Sequence, residues 1–309
     1  MRAYSKKKQM KHDQLAGHLA VAGAYTIFGL NIVFTKDIAN ADVVSPMMLF
    51  TLRAIGACAL FWLISLFLPK EPVARKDIGL IALASFVGLF VPQLTFLKAM
   101  TLSATIDASV MHTLSPIFTM FFAFLFLKEP ITWKKALGVA ISFGGVLLLI
   151  FNSVHADGGV EKTAPMGFVC LVLNSLSFAL YLGAFRNLIS RYSVVTFMKW
   201  AFLFALILSL PFSARELVST DYAAIPANVF WEIAFLVFFA TFVAYFLIPY
   251  GQKRIRPTLV SMYTYLQPII AAAISIITGL DILTWQKLVA TLLVFAGVYL
   301  VIRSRAAAR

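Results

Sequence analysis

Ten apolar segments of about twenty residues each take up most of this chain, and they restrict its fold more than any other feature. A transmembrane helix needs about 20 consecutive, mainly apolar residues, and no segment alternates polar and apolar positions as a barrel strand does. About 110 residues remain for two tails and nine connections, so no connection can hold a folded domain. The predicted spans are Leu15–Thr35, Pro46–Leu68, Ile78–Leu97, Thr101–Leu127, Thr132–Phe151, Pro165–Phe185, Val194–Phe212, Val229–Gly251, Thr258–Leu280 and Thr284–Ile302.

The overall composition is that of a membrane protein. Hydrophobic residues make up 61% of the 309 residues and charged residues 13%, against about 45–50% and about 25% in soluble domains. This excludes a soluble globular enzyme, a disordered chain and a disulfide scaffold. Cys58 and Cys170 lie inside apolar segments and are expected to be small packed residues. The net charge of +13 does not indicate a nucleic-acid partner, because the basic residues lie in short clusters between the spans.

The distribution of Lys and Arg predicts the orientation of the chain. With ten spans, 19 of these residues lie on the side of both termini and five on the opposite side, while Arg53 and Lys199 fall within spans. Because cytoplasmic loops carry the excess of positive charge, both termini are expected in the cytoplasm. A basic tail before the first span is also typical of a signal peptide, but the length of this span and its polar residues Asn31 and Thr35 favour a retained helix.

The chain contains an internal repeat. Shifted by 152 residues, Thr105–Ile150 matches the second half at 12 of 46 positions without a gap, and the first spans align with a shift near 150. Five spans per unit is an odd number, so the second unit enters the membrane from the opposite side, as in many secondary transporters. The predicted fold is an all-α integral membrane protein whose ten transmembrane helices form two inverted five-helix repeats, residues 15–151 and 165–302, between tails at 1–14 and 303–309. A duplicated bundle without a transport function is the alternative.

Short motifs along nearly the whole chain identify a family. They are Phe28–Asn31 with Lys36, Ser45–Pro46, Leu52–Arg53, Ser109–Ile117, Leu127–Pro130, Gly144–Gly145, Leu266–Ile269 and Gly279–Asp281. These motifs resemble those of the drug/metabolite transporter superfamily, in its EamA-type ten-helix branch. The family commonly has Trp where Phe28 stands and Gly where Lys128 stands, which are mild departures. The resemblance implies a bacterial inner-membrane carrier of small metabolites, often an exporter, and members of the family include amino-acid exporters.

Polar side chains within the spans are the candidates for a substrate site, because a polar group in hydrocarbon usually faces the bundle interior or a wet cavity. Ser109 and His112 share a face of the fourth span, and the repeat places Thr264 where His112 stands. Tyr263 and Gln267, four residues apart, are expected on one face of the ninth span. Interhelical hydrogen bonding is the alternative for these hydroxyl and amide groups. The predicted substrate-binding residues are Asn31, Gln93, Ser109, His112, Asn174, Tyr181, Tyr245, Tyr263, Thr264 and Gln267.

Prolines and charges inside the spans are assigned other roles. Proline removes a helix hydrogen bond and bends the helix, which predicts hinges, with static kinks as the alternative. The predicted hinges are Pro92, Pro116, Pro249 and Pro268. Arg53 lies seven residues into the second span and is expected to form a structural ion pair with Asp107 or Glu232, while direct substrate binding is the alternative.

These features favour a secondary carrier of small metabolites, such as amino acids or related polar solutes, that works by alternating access. The sequence has no paired-acid motif, Gly-rich phosphate loop or metal-ligand spacing, so no enzyme, cofactor or metal is expected. A membrane-embedded enzyme acting on lipid or polyprenyl substrates and a channel are the alternatives. The expected partners are a small-molecule solute, the lipid bilayer and, as a candidate coupling ion, the proton, for which His112 and Asp107 are the candidate carriers. The chain is expected to be a monomer or a homodimer, with a cavity lined by its first, third, fourth, sixth, eighth and ninth spans.

Overall fold

The structure is a computed structural model that describes residues 2–103, 108, 111–112, 115–128, 131–154, 164–277 and 285–303. In these ranges ten helical segments follow one another, and a short helix, Arg186–Arg191, joins the sixth to the seventh. Six of the ten, α1 to α3 and α6 to α8, are long and apolar enough to cross a membrane. The segments are α1 Arg2–Ala41, α2 Pro46–Leu66, α3 Arg75–Met100, α4 Ser115–Leu127, α5 Trp133–Val154, α6 Pro165–Ala184, α7 Val194–Ser219, α8 Ala227–Gln252, α9 257–277 and α10 Trp285–Arg303.

Helix packing follows a two-fold pattern. In the first half α1 packs on α8 and α9, and in the second half α6 packs on α3 and α4. In the same way α2 packs on α8 while α7 packs on α3, and the pairs α2–α7, α4–α9 and α5–α10 each join equivalent helices. Every large contact therefore has its counterpart in the other repeat, as expected of an inverted-repeat membrane fold.

The second helix of each repeat begins in the same way. Ser45 and Ser193 are the N-cap residues of α2 and α7, and both accept a hydrogen bond from a backbone N–H of the first turn. A glutamate from the other repeat binds each cap: Glu216 accepts from Ser45 N at 2.9 Å, and Glu71 accepts from Ser193 N at 2.9 Å. Burial raises the pKa of the Glu71 carboxyl, but hydrogen bonds from Thr196 and Ser193 outweigh it and hold this pKa below its ordinary value. The α2–α7 pair is thus fastened at both ends.

The helices α5 and α10 pack mainly on each other, and they contact α9 through Val139 and Val301, which lie against Met262 and Tyr265. A Cβ added at Gly138 of α5 would lie 2.7 Å from the carbonyl oxygen of Gly297 in α10. Only glycine allows so close an approach of two helix backbones.

Three of the predicted helices are not regular α-helices. The segment Phe86–Phe90 of α3 and the segment Leu236–Val243 of α8 are both π-helical. Shifted by 152 residues, the first segment falls inside the second, so the wider turns occupy equivalent places. Pro92 follows the first, but Ala244 stands at the equivalent position of α8, so proline is not the common cause. In α9 a 3₁₀ turn, Tyr263–Tyr265, separates two α-helical parts.

Two helices end on a left-handed residue that is not glycine. Asp42 follows α1 with a φ of 50°, and Lys128 follows α4 with a φ of 53°. Glycine is the residue that helices most often place at this position, because a Cβ is strained there.

Candidate functional site

A cavity lies between the two repeats, at the centre of the bundle. Its volume is about 60 Å³, which is room for only a few water molecules. Side chains of α1, α2, α3, α6, α8 and α9 line it, together with His112 and Ser115 of the fourth span. The lining residues are Tyr25, Phe28, Asn31, Ile32, Arg53, Pro92, Gln93, Phe96, His112, Ser115, Asn174, Phe178, Tyr245, Thr264 and Gln267.

The cavity lies on the two-fold axis of the repeats. Many of its lining residues come in pairs that the repeat relates by a shift of 150 or 152 residues. The pairs are Phe28 with Phe178, Gln93 with Tyr245, His112 with Thr264, and Ser115 with Gln267. The second pair meets across the axis, where Gln93 Nε2 donates to the Tyr245 hydroxyl at 3.0 Å. Each repeat therefore supplies half of one shared site.

Seven of the ten residues predicted to bind substrate line this cavity: Asn31, Gln93, His112, Asn174, Tyr245, Thr264 and Gln267. Ser109 lies outside the described residues. Tyr181 is buried but lies beside the cavity, where its ring packs directly on Gly88 of α3. His112 Nε2 is buried and has no hydrogen-bond partner in the described part of the chain, while its ring lies 5.5 Å from that of Phe96.

Tyr263 is not among the residues that line the cavity, whereas Gln267 is. The Tyr263 hydroxyl lies 2.9 Å from His18 Nδ1 of α1. The 3₁₀ turn at Tyr263–Tyr265 is the physical reason, because three residues per turn in place of 3.6 rotate the side chains that precede it relative to those that follow. The i, i+4 rule applies only within a regular α-helix.

The four predicted hinge prolines have different surroundings. Pro92 lines the cavity, and its carbonyl oxygen accepts a hydrogen bond from Asn174 Nδ2 at 2.7 Å. Pro116 and Pro249 are buried in α4 and α8, and Pro268 is half-buried in α9. Their role as hinges stays a prediction.

Arg53 enters the cavity from α2. Its side chain is 1% exposed, Nε donates to Thr241 Oγ1 at 2.7 Å, and one terminal nitrogen lies 3.5 Å from the carbonyl oxygen of Ala240. The other terminal nitrogen has no hydrogen-bond partner in the part of the chain that the structure describes. Within the described ranges Arg53 forms no ion pair, so the expected pair with Glu232 is not formed. The other expected partner, Asp107, lies outside the described ranges. Both groups that hold Arg53 belong to the π-helical segment of α8.

Near the end of α1 and of α6, a basic side chain donates hydrogen bonds to backbone carbonyl oxygens of another helix or its connection. Lys36 Nζ donates to the carbonyl oxygens of Met100 at 3.4 Å and Ser103 at 3.2 Å. Arg186 donates to those of Gln252 and Ile255, each at 3.4 Å. Lys36 and Arg186 are 150 residues apart, and the carbonyls are 152 apart. We call these arrangements the α1 clasp and the α6 clasp; because α1 and α6 run in opposite directions, they lie at opposite faces of the bundle.

The sequence reasoning missed the apolar part of the cavity. Tyr25, Phe28, Phe96 and Phe178 line it, yet aromatic residues are so common in this chain that composition does not single them out. The repeat held the one usable signal, since it aligns Phe28 with Phe178.

Comparison with known proteins gives the family. The sequence profile described as the EamA-like transporter family matches residues 15–151 and 165–303. The chain belongs to the EamA-like transporter family. Both matched ranges are five-helix repeats of the structure, so the resemblance seen in the sequence motifs is confirmed.

Relatives of this family member are named as transporters. An uncharacterized transporter of Archaeoglobus fulgidus is 25% identical over 91% of this chain and 98% of its own length. The uncharacterized transporter YetK of Bacillus subtilis is 22% identical over 85% of this chain and 79% of its own length. One solved crystal structure superimposes with a TM-score of 0.72 at 16% identity, covering 94% of this chain and 96% of that chain. That likeness shows the fold alone. The protein is therefore a multi-pass membrane transporter.

Proposed function

We propose that this transporter is a secondary-active carrier that exports small metabolites, such as amino acids or related polar solutes, by alternating access. In this proposal it lies in a bacterial inner membrane with both termini in the cytoplasm. One observation carries the mechanism: a single cavity is lined by equivalent residues of two inverted repeats. A site of this kind presents the same pair of walls to either side of the membrane.

The two clasps support the same mechanism. Both are formed in this structure, and the cavity between them has room for only a few waters. In this proposal the two clasps act as the gates of the cavity, one at each face of the bundle. Opening the α1 clasp would expose the cavity to one face, and opening the α6 clasp would expose it to the other.

The test is solute counterflow in proteoliposomes. Metabolite pools inside and outside cells that overproduce the protein are first compared to choose a solute. Proteoliposomes are then loaded with that unlabelled solute and diluted into labelled solute. A carrier accumulates label transiently above its equilibrium level, and its rate saturates with concentration. Entry without this overshoot would indicate a channel, and entry no faster than into empty liposomes would refute transport of that solute.

A further inference from the structure

Arg53 is a buried cation with no counter-charge among the residues that the structure describes. A guanidinium that is 1% exposed in the middle of a membrane bundle is costly unless an anion or several acceptors satisfy it. Thr241 and Ala240 occupy Nε and one terminal nitrogen, the latter at a long 3.5 Å. The other terminal nitrogen is buried and has no hydrogen-bond partner among the described residues.

Arg53 is one of the residues that line the cavity. The other polar lining residues in the described part of the chain are neutral amides, hydroxyls and His112, and none is a carboxylate. The remaining lining is apolar and largely aromatic. A solute in this cavity therefore meets one positive charge, neutral hydrogen-bonding groups and apolar rings.

The second repeat does not duplicate this charge. The cap residues Ser45 and Ser193 set the register of α2 and α7, and in that register Ala201 stands where Arg53 does. The single guanidinium makes the cavity electrically asymmetric, although its walls come from a two-fold repeat. An asymmetric site can hold an elongated solute in one orientation.

We propose that Arg53 binds the carboxylate of the transported solute, so that the substrates are small carboxylates with an apolar body. This inference rests on the proposed transport function, because it takes the bound carboxylate to be the transported solute. The two terminal nitrogens present a planar edge that matches two carboxylate oxygens. The π-helical segment of α8 holds the guanidinium in place through Thr241 Oγ1, which also donates to the carbonyl oxygen of Leu236 at 2.7 Å.

The inference is tested by binding to the purified full-length protein. The thermal unfolding midpoint is measured with L-leucine, 4-methylpentanoate and phenylacetate, each beside its amide, which differs mainly in the charge of the head group. We expect at least one acid to bind about tenfold more tightly than its amide. Arg53→Gln should weaken binding of that acid about tenfold and change binding of the amide less than about threefold. Arg53→Lys should lie between, because it keeps the charge and loses the planar edge.

Two further variants guard against misfolding and nonspecific charge effects. Thr241→Val removes the acceptor that positions Arg53 Nε and leaves Arg53 in place; it should weaken acid binding about threefold or more. Arg215→Gln, at an exposed position of α7, should leave the preference for acids unchanged. If Arg53→Gln does not fold, the result for Thr241→Val decides.

The outcomes separate this inference from the transport proposal. Acid binding that depends on Arg53, without counterflow of any bound acid, would support the inference and refute transport. Counterflow of a solute whose preference over its amide survives Arg53→Gln would support transport and overturn the inference. A lower unfolding midpoint in Arg53→Gln with unchanged acid preference would overturn it too, in favour of a structural role. No shift with any of the three acids would also overturn it.

Discussion

The two clasps lead to a prediction in which equivalent mutations have opposite effects. Each clasp joins a positively charged side chain to two carbonyl oxygens at 3.2 to 3.4 Å. A hydrogen bond from a charged group contributes about 1.5–3 kcal/mol; because these bonds are long and half-buried, we assign about 1.5 kcal/mol to a whole clasp. Losing this amount changes an equilibrium about tenfold. Lys36→Gln should therefore favour opening at the face where α1 ends, and Arg186→Gln opening at the face where α1 begins.

The assay measures access to the cavity from each face. Ser115, which lines the cavity, is replaced by Cys in a variant that lacks the two native cysteines. A membrane-impermeant thiol reagent is then added to vesicles of either orientation. Lys36→Gln should raise the ratio of labelling rates between the two faces about tenfold, and Arg186→Gln should lower it about tenfold. Lys36→Arg and Arg186→Lys keep a charged donor and serve as matched controls within about threefold of the parent.

The reasoning would be refuted if both Gln variants increased labelling from the same face. It would also be refuted if neither changed the ratio more than about twofold while both proteins stayed folded and monodisperse. In either case the clasps would be static contacts and not part of the switch between two open states.

Three further predictions concern the site, stability and orientation. His112→Ala should lower transport, and unchanged transport in this variant would exclude His112 from the site. If His112→Gln retains transport, His112 binds the solute. If both variants lose transport together with its pH dependence, His112 takes part in proton coupling. Lys128→Gly should raise the unfolding midpoint by about 2 °C, because it relieves about 1 kcal/mol of backbone strain. Asp42→Gly should raise the midpoint less, because aspartate tolerates this conformation. A lower midpoint in either variant, or equal increases in both, would contradict this. Reporter fusions at Arg309 and in loop 152–164 should report opposite sides, and signals on the same side would contradict ten spans.

The fold could be predicted largely from the sequence, because its determinants are local. Hydropathy marks the spans, and the gapless shift of 152 residues reveals the repeat. The departures lie where hydrogen-bond register depends on neighbouring helices. Carbonyl oxygens of the π-helical region of α3 accept from α6, as in the bond from Ser177 Oγ to Val87 O at 2.6 Å. The sequence of α3 alone cannot announce such a partner, since it lies 90 residues away.

The site could be predicted only in part, for a related reason. Asn31, Gln93 and Asn174 are predicted because they are polar residues inside spans, and all three line the cavity. Periodicity assigns a side chain to a face only in a regular helix. It is not sufficient for Tyr263, where the helix is irregular. Nor does it say whether the partner of Arg53 is a carboxylate or, as in the described structure, a threonine and a carbonyl oxygen.

Under the proposed mechanism, the repeat separates residues that would close the bundle from residues that would meet the solute. Lys36 and Arg186 differ in side chain but keep the positive charge and the equivalent carbonyl partners. Inside the cavity Phe28 and Phe178 are the same residue type, but the other equivalent pairs differ in chemistry, as with Gln93 and Tyr245 or His112 and Thr264. Closure must work in the same way at both faces, so its chemistry is kept in both repeats. A solute bound in the cavity as proposed would take one orientation at a time, so the two walls are free to differ. The residues that differ most between equivalent positions are therefore the ones to test first for substrate recognition.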